Sequence, residues 1–127
     1  MFQLNLYLEE NIVMKFYKLD AEIVATESAL SAGEELIPNT TDAAGEKHVP
    51  VVKIDGDNVS VTVGAVEHPM LPAHFIQWII LETANGWLKK RLTANDKPCA
   101  NFILADGDKV VAAYEYCNLH GLWKNEL

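Results

Sequence analysis

Three two-residue turn signals separate short apolar runs, and they constrain the fold more than any other feature of the sequence. They are Asp55-Gly56, Asn85-Gly86 and Asp106-Gly107. Gly and Asn tolerate the positive φ of a tight turn, so each pair predicts a hairpin between its flanking runs. The run from Val59 to Val63 alternates apolar and polar residues with period two, as half-buried strands do. The sequence therefore predicts a mostly β chain.

The other apolar segments complete a predicted set of antiparallel strands. The strand pairs are 49–54 with 59–63, 75–83 with 87–92, and 101–104 with 109–116. Apart from a short turn near residues 21–32, no segment combines helical periodicity with capping residues. Several antiparallel strands in a chain of this length favour an all-β fold, an immunoglobulin-like antiparallel β-sandwich.

The N-terminal third carries weaker signals. Residues 14–45 have little periodicity and are interrupted by Gly33 and Pro38. We therefore predict an irregular N-terminal arm without a metal centre over residues 1–37, followed by the sandwich domain at residues 38–127. An additional edge strand is predicted from the alternation of Phe2, Leu4, Leu6 and Leu8.

Charge and hydropathy exclude several classes of function. Among 127 residues the chain has 10 Lys plus Arg and 18 Asp plus Glu, which gives a net charge of -8. A nucleic-acid or anionic-membrane partner is not expected, because binding phosphates requires a basic face. No apolar run approaches the roughly 20 residues of a membrane span, and the N-terminus lacks the pattern of a secretory signal. We therefore expect a cytoplasmic protein.

The histidines and one cysteine form a candidate metal site. All four histidines lie in segments punctuated by Pro or Gly, and one belongs to a C-x-x-H turn. Loops cluster at the ends of a sandwich, so these side chains can meet. Imidazole suits iron, copper, nickel and zinc, and a thiolate adds a soft donor. The candidate ligands are His48, His68, His74, Cys117 and His120.

The residues alone leave other interpretations open. A histidine beside proline is often only a loop residue, and a cysteine is often a small buried hydrophobe. A structural zinc site usually has closely paired ligands at both ends, whereas only Cys117 and His120 are close in the sequence. A blue-copper electron carrier would add a weak axial methionine, and no methionine follows Cys117.

Three blocks of sequence resemble the superoxide reductase family, which includes desulfoferrodoxin and neelaredoxin. The similarity covers about residues 38–124. The blocks are Glu46-Lys47-His48-Val49-Pro50-Val51; Val63-Gly64-Ala65-Val66-Glu67-His68-Pro69-Met70 with Pro72-Ala73-His74-Phe75-Ile76-Gln77-Trp78; and Glu115-Tyr116-Cys117-Asn118-Leu119-His120-Gly121-Leu122-Trp123.

The resemblance implies a mononuclear non-haem iron that reduces superoxide to hydrogen peroxide. The four histidines would be equatorial ligands and Cys117 the axial thiolate, hydrogen-bonded by the backbone N–H groups of Leu119 and His120. The sixth position would stay open in the ferrous state. Lys47 would attract the anionic substrate and order water for its protonation. Glu46 would be the sixth ligand of the ferric iron.

The resemblance also implies partners. An external electron donor such as rubredoxin is required, and the chain is expected to form a homo-oligomer, a dimer or tetramer. Leu122, Trp123 and Lys124 are candidates for a docking rim, although Trp123 equally fits the core. In relatives with an additional N-terminal iron domain, four cysteines hold that metal. Here Leu19 and Glu22 stand where its first cysteine pair would be, so the chain resembles the one-iron members.

Overall fold

The computed structural model of the protein describes residues 14–127. Its contacts divide the chain into two compact units, Met1–Ile37 and Pro38–Leu127. The edge strand predicted from Phe2 to Leu8 lies outside the described residues. None of the helices within residues 14–127 is long and apolar enough to cross a membrane.

The first unit contains regular strands where the sequence analysis predicted an irregular arm. Its antiparallel sheet has the order β2-β1-β3. The strands are β1 (Lys15–Leu19), β2 (Glu22–Thr26) and β3 (Glu34–Leu36). The prediction of an irregular segment was wrong because the β1–β2 turn contains no glycine. Asp20 adopts the positive φ of 53° there, a conformation that aspartate tolerates better than most residues.

The second unit is a sandwich of two antiparallel sheets, which confirms the predicted all-β class. One sheet has the order β4-β5-β8 and the other has the order β10-β9-β6-β7. The strands are β4 (Pro50–Asp55), β5 (Asn58–Val63), β6 (Ile76–Thr83), β7 (Gly86–Arg91), β8 (Cys99–Ile103), β9 (Val110–Cys117) and β10 (Gly121–Glu126).

The core lies between the two sheets and follows the period-two pattern of the strands. Val59, Val61 and Val63 face inward from β5, and the intervening residues are exposed. They join one cluster of buried side chains that β6, β8 and β9 also supply. Cys117 belongs to this cluster, so the candidate thiol ligand projects from the core side of its strand.

Two of the three turn signals close hairpins as predicted, and the third does not. The turns at Gly56 and Gly86 join β4 to β5 and β6 to β7. Gly107 also has a positive φ, 76°, but its flanking strands lie in different sheets. Strand β8 pairs with β5, and β9 pairs with β6 and β10. The predicted third hairpin was therefore wrong, because turn chemistry reverses the chain locally without choosing the partner of each strand.

The C-x-x-H turn lies between two strands. Cys117 ends β9 and Gly121 begins β10, so the turn closes a hairpin. Gly121 has a φ of 76°, which favours glycine, and a Cβ there would lie 3.2 Å from Thr41 Oγ1. The glycine that follows the motif thus allows the chain to enter β10 directly after the turn.

A four-residue helix, α1 (Gly45–His48), carries the first sequence block and is held by backbone contacts. The N–H of Val66 donates to Glu46 O over 2.8 Å. Gly64 packs directly against the same turn: a Cβ on Gly64 would lie 2.7 Å from Glu46 O and 2.9 Å from the Lys47 carbonyl carbon. Only a residue without a side chain permits this approach, so Gly64 fixes the position of α1.

This contact makes Gly64→Ala a test of how the fold positions α1. The added methyl group meets backbone atoms that cannot rotate away, so we expect a loss of about 1–3 kcal/mol in the free energy of unfolding. Urea denaturation measures it. Gly45→Ala is the matched control, because a Cβ at Gly45 meets no atom within 4 Å. Equal stability of the two variants would contradict the packing argument.

Candidate metal centre

Four segments of the second unit bring the five candidate ligands to one end of the sandwich. His48 ends α1, His68 and His74 lie in the β5–β6 connection, Cys117 ends β9, and His120 lies in the β9–β10 turn. One potential ligand atom from each side chain lies within 4.8 Å of the other four. Ligands on opposite sides of an ion are about 4–4.5 Å apart at usual bond lengths, so this spacing suits a single ion.

The four imidazole rings form a closed ring of neighbours. The centroid distances are 4.7 Å for His48–His68, 4.7 Å for His68–His74, 5.1 Å for His74–His120 and 5.0 Å for His120–His48. Each neighbouring pair is close to perpendicular, with interplanar angles from 78° to 86°. This arrangement places the four rings around a common centre, as the corners of a square.

Backbone carbonyls determine which nitrogen two of the rings present. His48 Nδ1 lies 2.8 Å from Ala44 O, and His68 Nδ1 lies 2.6 Å from Pro69 O. A carbonyl can only accept, so each Nδ1 carries the proton and donates. The Nε2 lone pairs of both rings are left for a metal ion. Such bonds from the second ring nitrogen fix ring orientation in metal sites.

The remaining donors also point to the common centre. His74 Nε2 is buried and has no hydrogen-bond partner among the described residues. His120 Nδ1 lies 3.2 Å from His48 Nε2 and 4.0 Å from Cys117 Sγ, which is itself 3.5 Å from His68 Nε2. An unpaired buried nitrogen is costly unless something occupies the centre. The donor set therefore fits a metal ion that accepts both imidazole and thiolate, as iron does.

The site is open on one side and closed on the other. A cavity of about 310 Å³ is lined by all four histidines, together with Ala43, Ala44, Lys47 and Pro69. Cys117 does not line it and has no exposed surface. The thiol therefore lies on the core side of the four imidazoles, and the opposite side faces a cavity that a small molecule can enter.

The two charged residues predicted to act at the site differ in position. Lys47 lines the cavity and also a second, adjoining cleft. The one ion pair within residues 14–127 joins Lys124 to Glu126, so Lys47 is not neutralised there. Glu46 is exposed and does not line the cavity. Its role as a ligand stays a prediction.

Burial holds the histidines in the form that binds metals. It lowers the pKa of His68 to about 4, and it also lowers the pKa of His48 and of His74. Burial raises the pKa of the Cys117 thiol, and the backbone N–H groups of His120 and Leu119 oppose that rise. Hydrogen bonds from these two amides to the sulfur stay a prediction.

The structure also identifies supporting residues that the sequence did not. Trp123 is buried and stacks on His48 with centroids 4.9 Å apart, and its Nε1 donates to His120 O over 3.0 Å. Leu122 is also buried, so both residues are unavailable for the predicted docking rim. The two residues are consecutive in β10 and both are buried, so the strand lacks the alternation from which a buried face is predicted.

A second unexpected residue is Glu115, which lies two positions before Cys117 on β9. It is fully buried, and neither carboxylate oxygen has a hydrogen-bond partner within the described part of the chain. Burial raises its pKa well above the usual range. A buried acid beside the thiol is a departure from the apolar pattern that the sequence predicted for this strand.

Comparison with known proteins agrees with the geometry. The family model for desulfoferrodoxin matches residues 40–126, which include all five candidate ligands. The chain belongs to the desulfoferrodoxin family. A desulfoferrodoxin of Clostridium acetobutylicum is 47% identical over 77% of this chain and 79% of its own length. Since this desulfoferrodoxin-family chain contains two cysteines, it cannot supply a four-cysteine iron centre.

Relatives with other names share the same region. A superoxide reductase of Pyrococcus abyssi is 35% identical over 68% of this desulfoferrodoxin-family chain and 90% of its own length. The crystal structure of the superoxide reductase from Treponema pallidum aligns with a TM-score of 0.81 at 36% identity, covering 90% of this chain and 99% of that one. A one-iron superoxide reductase from Giardia intestinalis aligns with a TM-score of 0.56 at 36% identity, covering 65% and 99%.

Proposed function

We propose that the protein is a superoxide reductase, which converts superoxide to hydrogen peroxide. The observation that carries the proposal is the open tetra-histidine and thiol site, with one lysine on its open side. In this proposal His48, His68, His74, His120 and Cys117 hold one iron ion. The named activity of related proteins supports the same assignment.

A bound iron would supply the one electron that superoxide requires. Two protons complete the conversion of O₂•⁻ to H₂O₂. Cys117, on the core side, contributes a negative charge that favours electron donation. The N–H groups of Leu119 and His120 at its sulfur moderate that donation. The open cavity lets water reach the substrate, so the solvent can supply both protons.

Lys47 acts on the substrate in this mechanism. The chain carries a net charge of -8, which repels an anion at long range. A lysine on the cavity wall reverses the potential at the point of entry. Its ammonium group can also orient a water molecule towards a substrate in the cavity and so assist proton delivery. Ala43 and Ala44 line the same cavity with small side chains.

The reaction consumes electrons, and the five-ligand site is the single redox-capable metal cluster found within residues 14–127. We therefore propose an external one-electron donor, such as rubredoxin. A homo-oligomer, which the resemblance to the superoxide reductase family implies, and a cytoplasmic location complete the proposal.

An electron carrier of cupredoxin type is the main alternative class. That function needs a metal shielded from exogenous ligands, whereas all four imidazoles here line an open cavity. A purely structural metal would likewise need no cavity, because structural sites are closed. The open side therefore favours a reaction at the metal.

Iron content and one optical measurement test the proposed function. We expect one iron per chain, an absorption band from thiolate-to-ferric charge transfer that appears when superoxide oxidises the ferrous protein, and loss of that band when an electron donor reduces the iron again. Rapid oxidation of the ferrous protein by superoxide, with hydrogen peroxide as product, is measured by pulse radiolysis. Metal binding without oxidation by superoxide would reject the reductase and favour a structural metal.

A further inference from the structure

Asn118 connects the two loops that carry His74 and the C-x-x-H turn. Its side-chain Nδ2 donates to Ala73 O over 3.0 Å, and its Oδ1 accepts from Phe75 N over 2.9 Å. Its own backbone N–H donates to Phe75 O over 3.2 Å. His74 is thus bracketed on both sides by residues bonded to Asn118, which directly follows Cys117.

The side-chain amide of Asn118 extends the pairing of β6 and β9 beyond their last paired residues. Strands β6 and β9 pair as far as Ile76 and Cys117, and beyond this point the chain turns towards His120. A side-chain amide has the same donor and acceptor as a peptide group, so it can form the next rungs of the ladder. Asn118 therefore joins the β5–β6 connection to the end of β9 through its side chain as well as through its backbone N–H.

The local conformation of the loop that carries His74 shows why its hydrogen bonds to Asn118 affect the position of His74. Leu71 and His74 exchange two backbone hydrogen bonds of 2.9 Å, so residues 71–74 form a tight turn that moves as a unit. The outer side of that turn is exposed at Leu71, Pro72 and Ala73. The bonds to Asn118 are consequently the polar contacts that tie this turn to the opposite ligand segment.

We propose that Asn118 is a positioning residue that holds His74 against the ligands of the C-x-x-H turn and so sets the metal affinity of the site. The inference rests on the proposed metal centre. His74 Nε2 forms no hydrogen bond within the described residues, so no bond at this nitrogen fixes the ring. Without the amide bridge, the turn is free to shift, and the metal must supply the energy that orders it.

Asn39 provides a matched control in the same chain. Its Nδ2 donates to Lys124 O over 3.0 Å, and its Oδ1 accepts from Lys124 N over 2.8 Å. The two asparagines thus make equivalent pairs of bonds, but Asn39 attaches to the part of β10 that follows the ligands. Asn39 also has a φ of 63°, so replacing it adds backbone strain and costs at least as much stability.

The experiment compares Asn118→Ala, Asn118→Asp and Asn39→Ala in the full chain. Dissociation constants for Co²⁺ and Zn²⁺ are measured by competition with a chelator, and the melting temperature of each metal-free protein is recorded. We expect Asn118→Ala to raise both dissociation constants about tenfold or more, the range seen for residues that orient ligands. Asn39→Ala should leave both dissociation constants within about twofold of the parent values. It should lower the melting temperature of the metal-free protein at least as far as Asn118→Ala does.

Asn118→Asp keeps the acceptor for Phe75 N–H and loses the donor to Ala73 O, so its dissociation constants should fall between those of the parent and Asn118→Ala. It also serves as the test if Asn118→Ala does not fold. The thiolate-to-Co²⁺ absorption band should shift in the Asn118 variants alone. Affinity equal to the parent in both Asn118 variants, or an equal loss in Asn39→Ala, would overturn the proposal.

The outcome is separable from that of the proposed function. A parent protein that binds Co²⁺ with a thiolate band, but whose iron form is not oxidised by superoxide, would reject the reductase. The comparison of Asn118 with Asn39 would still report on metal affinity. Failure of the positioning role would instead leave superoxide reduction by the parent intact.

Discussion

Replacing Cys117 with serine is expected to abolish the thiolate charge-transfer band and to weaken metal binding by at least about 100-fold, because changes to outer partners alone cost 10–100-fold. The thiol has no exposed surface and lies on the core side of the four imidazoles. A serine hydroxyl is a poor donor at this position and cannot supply the same electron density. Iron analysis, optical spectra and superoxide oxidation rates measure the change.

Cys99→Ser is the matched control for this substitution. Cys99 is partly buried at the start of β8 and does not belong to the five-residue cluster. We therefore expect its replacement to leave iron content, spectrum and rate unchanged. A retained charge-transfer band in Cys117→Ser would show that the band has another origin. Iron loss in Cys99→Ser would show that the ligand set is incomplete.

Lys47→Ala is expected to slow the second-order reaction with superoxide roughly tenfold or more, within the 10–10³-fold range of electrostatic steering. Lys47 is exposed on the cavity wall, and no ion pair within residues 14–127 neutralises it. With the local attraction removed, the net repulsion of the acidic chain remains. The residual rate should then rise with ionic strength, whereas the parent rate should fall.

Lys109→Ala and Glu46→Ala separate local from global charge effects. Lys109 is exposed at the opposite end of β9 from Cys117, about 25 Å away along a strand of eight residues. Lys109→Ala changes the net charge by the same amount as Lys47→Ala, but it should change the rate of the reaction with superoxide little. Glu46→Ala should leave the encounter rate nearly unchanged and alter the ferric spectrum. A parent-like rate for Lys47→Ala at low salt would contradict the steering role.

The strands that the sequence predicted correctly are those whose signal is local. Gly56 lies in a hairpin turn, Gly86 directly follows one, and the alternation in β5 reports one buried face. Pairing across the third turn was mispredicted because β8 and β9 bury their apolar faces in opposite sheets. Which sheet a strand joins depends on the packing of the whole core, and no turn residue encodes it.

The N-terminal sheet and β10 show a second limit of prediction from the sequence. Strand β1 begins a hairpin whose turn residue, Asp20, carries no glycine signal. In β10, Leu122 and Trp123 are both buried although they are consecutive, so the strand lacks the alternation of a half-buried one. Trp123 is buried where its ring stacks on His48, and this contact joins residues far apart in the sequence.

The amino-acid sequence by itself determined which donor types are available, since four imidazoles and one thiol are properties of the side chains and their motifs. The tertiary structure decided which atoms face the centre and which side is open. Ala44 O and Pro69 O occupy the Nδ1 positions of His48 and His68, and so leave Nε2 for the metal. The burial of Cys117 between the sheets closes one side and leaves the cavity on the other, because only packing determines what solvent can reach.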